Sequence, residues 1–273
     1  MRNKMAWFSF FCLIITAILI IPSIAGAYTI AYFAVQHRCY QDKSKGPNGN
    51  GQLNRVAFQI KDSEGAYVSS NLLTSIALYD PNGTQVDDVT LDSIVFSPVY
   101  TEIDGRYDGT SGYWSYDNPY SPSEFFATLN KGTNLIVGNY QLKIVFDGES
   151  LESTWAFTKQ VILPYVDSNS IEYHFDKKDN LVVTWSISDK LLRTFPTAGT
   201  SARALIDVFK KSKKKTKFVG TLYVRVPTAS GILFVPKAIV TSMQSVGKIF
   251  QITIQVRTND NCNRSYSNTV EMN

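Results

Sequence analysis

Along most of this chain hydrophobic residues return at every second position, the period of strands with one buried and one wet face. Val56, Phe58 and Ile60 alternate with Ala57, Gln59 and Lys61, and Tyr140, Leu142, Ile144 and Phe146 alternate with Gln141, Lys143 and Asp147. Leu72 to Tyr79 runs into Asp80-Pro81-Asn82-Gly83, a strong turn signal. These segments read as hairpins. After Ala27 no stretch sustains apolar i, i+3, i+4 spacing over three turns, so almost no helix is expected beyond a short turn near Asp189 to Arg193. The pattern predicts an all-β chain.

The N-terminus breaks the pattern. Arg2 and Lys4 precede an uncharged apolar run from Met5 to Ile21, followed by Pro22, Ser23 and Ala25-Gly26-Ala27. That order is expected of a secretory signal peptide cut after Ala27. An uncleaved anchor is the alternative, because the apolar character continues through Tyr28 to Val35 and the combined run exceeds about 20 residues. The composition of Tyr28 to Val35 nevertheless favours an extended strand. Cys12 follows Ser9-Phe10-Phe11, with no small residue beside it, and does not look like a lipid attachment site. The expected location is secreted, periplasmic or cell-surface, and a membrane is met only through the first segment if it stays uncleaved.

The remaining residues suit one large domain or two ordinary ones. The boundary is expected at Leu163-Pro164-Tyr165-Val166-Asp167-Ser168-Asn169-Ser170, where proline and a polar stretch separate alternating runs. This gives a signal peptide over 1–27 and two tandem β-sandwich domains over 28–164 and 165–273. Charge changes at the same place. Residues 28–164 carry 9 basic and 15 acidic side chains, a net of about −6, and residues 165–273 carry 16 and 8, about +8. Without Arg2 and Lys4 the whole chain has 25 basic against 23 acidic groups, and no case for nucleic acid follows.

In the second block the order of segments resembles a fibronectin type III domain. Leu181-Val182-Val183-Thr184-Trp185-Ser186 is similar to that family's second strand, which ends in a buried tryptophan. Arg203 to Phe209, a lysine-rich turn, and the return over Phe218 to Val226 follow, and Lys248 to Asn259 with Ser265 to Val270 resemble the closing hairpin. Phe250 stands where the family usually has a tyrosine, so the corner hydrogen bond of that residue is missing. The first block resembles bacterial immunoglobulin-like surface domains more loosely, through Phe126-Ala127-Thr128-Leu129 and Gly138-Asn139-Tyr140-Gln141-Leu142-Lys143. Such sandwiches host adhesion, carbohydrate-binding and spacer roles alike.

Catalytic constellations are sparse. His37 and His174 lie in strands, and there is no Gly-x-Ser-x-Gly elbow. Ser245-Val246-Gly247-Lys248 matches Ser-x-x-Lys without its companion motifs. Asp104-Gly105-Arg106-Tyr107-Asp108-Gly109 lacks the alternating oxygen ligands and closing glutamate of a calcium loop. No catalytic residue, cofactor or metal is assigned. The expected function is an exported, non-enzymatic binding or structural module, with a glycan, an anionic surface polymer or another surface protein as partner. A polysaccharide-processing enzyme with a carboxylate pair is the alternative class.

Three candidate features remain. Tyr107, Tyr113, Trp114 and Tyr116 beside Asp104 and Asp108 combine flat rings with hydrogen-bonding groups, as sugar sites do, unless Trp114 is buried with Tyr140 and Trp155. Lys210, Lys211, Lys213, Lys214, Lys215 and Lys217 crowd one turn, either as a solvated hairpin tip or as an anion contact. Cys39 and Cys262, the thiols left after cleavage, are a candidate disulfide that would fold the two blocks together, with two separate thiols or an intermolecular bridge as the alternatives.

Overall fold

The computed structural model describes residues 26–46, 48–68, 70–97, 112–116, 124–129, 134–187, 193, 200–212, 215–227 and 231–272. The signal segment over 1–25 lies outside them. The described strands are β1 (Tyr28–Tyr40), β2 (Gln52–Asp62), β3 (Leu73–Tyr79), β4 (Val95–Ser97), β5 (Gly112–Tyr116), β6 (Glu124–Leu129), β7 (Gly138–Phe146) and β8 (Glu149–Phe157). They continue with β9 (Glu172–Phe175), β10 (Leu181–Thr184), β11 (Thr200–Ser212), β12 (Lys215–Pro227), β13 (Ile232–Val235), β14 (Ile249–Thr258), β15 (Asn263–Tyr266) and β16 (Val270–Met272). The chain is all-β, with one helix of ten residues, α1 (Lys237–Val246), among the described residues. No helix among them is long and apolar enough to cross a membrane.

A ten-stranded sheet has the order β4-β6-β2-β1-β15-β14-β11-β12-β5, with β16 also paired to β14. Two three-stranded sheets, β3-β7-β8 and β9-β10-β13, pack against it. One core gathers Phe33, Val35, Phe58, Ile60 and Phe125 with Leu78, Leu142 and Phe146 of the first small sheet. The other gathers Ile206, Leu222, Ile252 and Val256 with Leu181, Val183 and Leu233 of the second. Both cores occupy the same face of the large sheet. Cys39, on the face of Phe33 and Val35, is in register with Ser265, and Ser265 with Val256. The opposite face is therefore one surface shared by both halves of the chain.

The alternation read from the sequence is present where it was expected. Val56, Phe58 and Ile60 are buried, as are Tyr140, Leu142, Ile144 and Phe146. At the Asp80 turn Gly83 adopts φ 79°, and the Asp80 carboxylate accepts from the Asn82 and Thr84 amides at 2.8 and 2.9 Å. Tyr28 to Val35 is extended, as its composition favours. Trp185 is buried at the end of β10. The expectation of almost no helix fails at α1. Ile239, Val240, Met243 and Val246 form its packed face, but this spans only about two turns and lacks a capping side chain, so the periodicity was too short to register. Of the turn expected near Asp189 to Arg193, only Arg193 lies within the described residues.

The large sheet is continuous because β1 pairs parallel with β15, from His37 opposite Asn263 to Tyr40 opposite Tyr266. The expected boundary falls in the strand-free connection between β8 and β9, yet the sheet does not break there. Asn263 fastens that connection. Its Oδ1 accepts from the Val161 amide and its Nδ2 donates to the Lys159 carbonyl, both at 2.8 Å.

Candidate functional site

The register of the large sheet aligns a set of arginines on the face away from the cores. Arg55 stands opposite Gln36, two positions from Arg38 on β1. Arg38 faces Arg264 of β15, and Arg264 faces Arg257 of β14. Tyr40, Tyr266, Gln255 and Arg203 form the adjacent row on β1, β15, β14 and β11. None of these residues is close to all the others in sequence.

Their contacts are tight. Arg38 is buried and donates from Nε and one terminal nitrogen to Gln36 Oε1 at 3.2 and 2.8 Å, with its guanidinium 5.9 Å from the Tyr266 ring centroid. Gln36 and Asn261 both donate to the Tyr32 hydroxyl, at 2.8 and 2.9 Å, and Arg264 donates to the same oxygen at 3.3 Å. Tyr40 and Tyr266 stack with centroids 4.7 Å apart. Arg55 bonds Glu124 at 2.8 Å and lies 3.5 Å over the Phe126 ring. Arg257 donates to Ser201 at 3.3 Å, and Arg203 lies 4.6 Å from the Tyr223 centroid.

Charge in this cluster is one-sided. Glu124 is the carboxylate that pairs with Arg55. Burial and the nearby Arg38 push the Arg55 guanidinium down to about 10. Burial, then Arg264, lowers Arg257. Burial acts to raise the Tyr266 phenol, but Arg38, Arg264 and Arg55 outweigh it and leave that phenol below its ordinary value. The Tyr40 phenol stacked on it is instead raised, by burial first and then by Tyr266. Arg55, Arg203, Arg257 and Arg264 are half-buried residues, with Nε of Arg55 and of Arg203 fully buried, and planar guanidinium groups are the natural partners of carboxylate, sulfate or phosphate.

Of the candidate sugar surface, Asp104, Tyr107 and Asp108 lie outside the described residues. Tyr113, Trp114 and Tyr116 fall on β5, in register with Tyr223, Leu222 and Gly220 of β12. The lysine-rich segment is a hairpin, with Lys210 opposite Lys217 and Ser212 opposite Lys215. Lys210, Lys211, Lys215 and Lys217 are exposed, and Lys213 and Lys214 lie outside the described residues.

The candidate disulfide is not formed, because Cys39 and Cys262 are both free and buried. Cys39 is in register with Ser265, three residues beyond Cys262. At about 3.3 Å per residue that offset is roughly 10 Å, past the separation of about 7 Å that a disulfide tolerates. Cys262 also packs into the first core, where its thiol points toward the Ala156 carbonyl at 3.6 Å.

His174 is exposed on β9, whereas His37 is buried in β1. His37 Nδ1 meets Asn54 Oδ1 at 2.8 Å, and its buried Nε2 has no partner among the described residues. Burial lowers its pKa below 6.5, against a smaller opposite effect of Asn54. The unfolded chain therefore takes up this proton first as pH falls, so the stability contributed by neutral His37 is complete above about pH 6.5 and lost below it. Urea midpoints measured from pH 7 to pH 5 are expected to fall, and His37→Gln is expected to flatten that slope. An unchanged slope would remove His37 as its source.

Sequence reasoning missed the arginines because each reads as the wet-face residue of its own strand, although Arg38 is buried. Only the parallel pairing of β1 with β15, over 220 residues apart, brings them together. No protein-family model matches this chain, and no curated protein matches it.

Proposed function

We propose that this protein is an exported, non-enzymatic binding module that holds an anionic polymer of the cell surface across the arginine face of its large sheet. The observation that carries the reading is the alignment of Arg38, Arg55, Arg257 and Arg264, with Glu124 paired to Arg55. A row of arginines that crosses strands from both halves of the chain suits a polymer better than a compact substrate. Strand order supports the relationship to immunoglobulin-like and fibronectin type III sandwiches. β1-β2-β6-β4 over β3-β7-β8 follows the ABED and CFG sheets, and β9-β10-β13 over β12-β11-β14-β15 has the related three-on-four layout. Export rests on the charged, apolar and small-residue order of residues 1–27; the mature protein is expected to begin at Tyr28, and a start at Met1 would remove that part.

The test is retention on immobilised heparin as a function of salt. Arg203→Gln with Arg257→Gln is expected to lower the eluting salt concentration and flatten the salt dependence by roughly one ion per arginine. Serine at Lys210, Lys211, Lys215 and Lys217 is expected to change retention less. Unaltered elution of the arginine variant would reject this face, and a larger loss in the lysine variant would move the contact to the hairpin tip.

A further inference from the structure

A cleft of about 300 Å³ opens where β1 ends, between Cys39, Tyr40, the Asn50-Gly51-Gln52 turn and the Ile162 to Tyr165 connection. Its rim leaves large apolar groups in water, with Ile162 64% and Tyr165 40% exposed. Its polar side chains are the Asn50 and Gln52 amides and the Tyr40 and Tyr165 phenols. Asn50 Oδ1 accepts from the Gln52 backbone at 2.9 Å, and among the described residues neither Asn50 Nδ2 nor the Gln52 side chain has a partner. Among the described residues no lining side chain is an acid, lysine or arginine, and burial pushes the Cys39 thiol up to about 11, so it too is uncharged.

The walls are set before any ligand arrives. The Tyr40 amide donates to the Gly51 carbonyl at 2.7 Å. Gly51 adopts φ 73°, and a Cβ there would lie 2.5 Å from the Tyr40 carbonyl, so only glycine brings the turn this close. On the other side Ser265 donates to the Pro164 carbonyl at 2.8 Å. Gln41 accepts from the Ser168 and Asn268 amides at 3.0 and 2.9 Å and donates to Asp167 at 3.0 Å, which ties the connection down. Fixed walls reduce the ordering cost of binding.

We propose that this cleft binds one uncharged saccharide ring, its apolar face against Tyr165 and Ile162 and its hydroxyls on the Asn50 and Gln52 amides. A charged ligand would find no ionised side chain among the described lining residues, the nearest cations being Arg38 and Arg55 behind Tyr40, and a purely apolar one would leave the amides unpaired. The volume, at the lower end of the roughly 300–1,000 Å³ of small-molecule pockets, suits one ring. The inference does not rest on anion binding by the arginine face.

The experiment is saturation-transfer NMR on the mature chain with methyl pyranosides and uncharged N-acetylhexosaminides. Transfer to at least one of these probes is expected, strongest at the protons of one ring face. Tyr165→Ala and Gln52→Ala, each checked for an unchanged unfolding midpoint, are expected to weaken that binding at least ten-fold, and Arg203→Gln with Arg257→Gln to leave it intact. No transfer to any probe, or equal transfer in whichever cleft variants keep their midpoint, would overturn the proposal. Failure on heparin with success here, or the reverse, separates the two readings.

Discussion

Replacing Phe125 by alanine is expected to lower the folding free energy by about 3–5 kcal/mol, as deletion of a fully buried phenylalanine does. Phe125 is completely buried and joins three aromatic partners from three strands or sheets. It stacks on Phe58 at 5.0 Å, meets Phe96 at 4.8 Å, and approaches the Phe146 edge of the opposing sheet at 6.1 Å. Neighbours held by three separate elements cannot all collapse into the vacated space, which puts the cost toward the upper end. Equilibrium denaturation in urea measures it. A loss below 1 kcal/mol would mean that the first core is not packed around this ring.

Asn263→Ala is expected to cost about 2–4 kcal/mol for a different reason. Asn263 is 1% exposed, and its amide satisfies the Val161 N–H and the Lys159 carbonyl. Alanine removes little apolar area but strands two partly buried backbone groups, each at about 1–3 kcal/mol. Asn263→Asp is the informative companion, since it keeps an acceptor for Val161 but sets a buried carboxylate oxygen against the Lys159 carbonyl. Its denaturation midpoint at neutral pH is expected to fall at least as far as that of Asn263→Ala. Equal midpoints for alanine and the wild type would mean that the connection between β8 and β9 holds without the asparagine.

The individual strands were legible because each buries one face against a local core. Val56 to Ile60 and Tyr140 to Phe146 announce themselves by period two, and the Asp80 turn by its residues. Sheet assembly was not legible. β1 is buried without interruption from Phe33 to Cys39, including Gln36, His37 and Arg38. Polar side chains conceal that burial in the sequence, because each looks wet until its partner on a distant strand is known. The same blindness hid the arginine face. The composition of the lysine hairpin is local, and so it was found. Helix α1 escaped for the opposite reason, as a short element defined by packing on the second core more than by its own pattern.

The parallel pairing of β1 with β15 also fixes an order of assembly. Tyr32 and Asn261, joined by a hydrogen bond, are 229 residues apart in the chain. A ribosome that has released β1 must finish nearly the whole sequence before that strand meets its second neighbour. Until then one edge of β1 has its amides and carbonyls unpaired, and such an edge recruits other chains. A chain cut before Asn263 would remain permanently in that condition, so it should sediment as aggregate even though every strand of the first core is present.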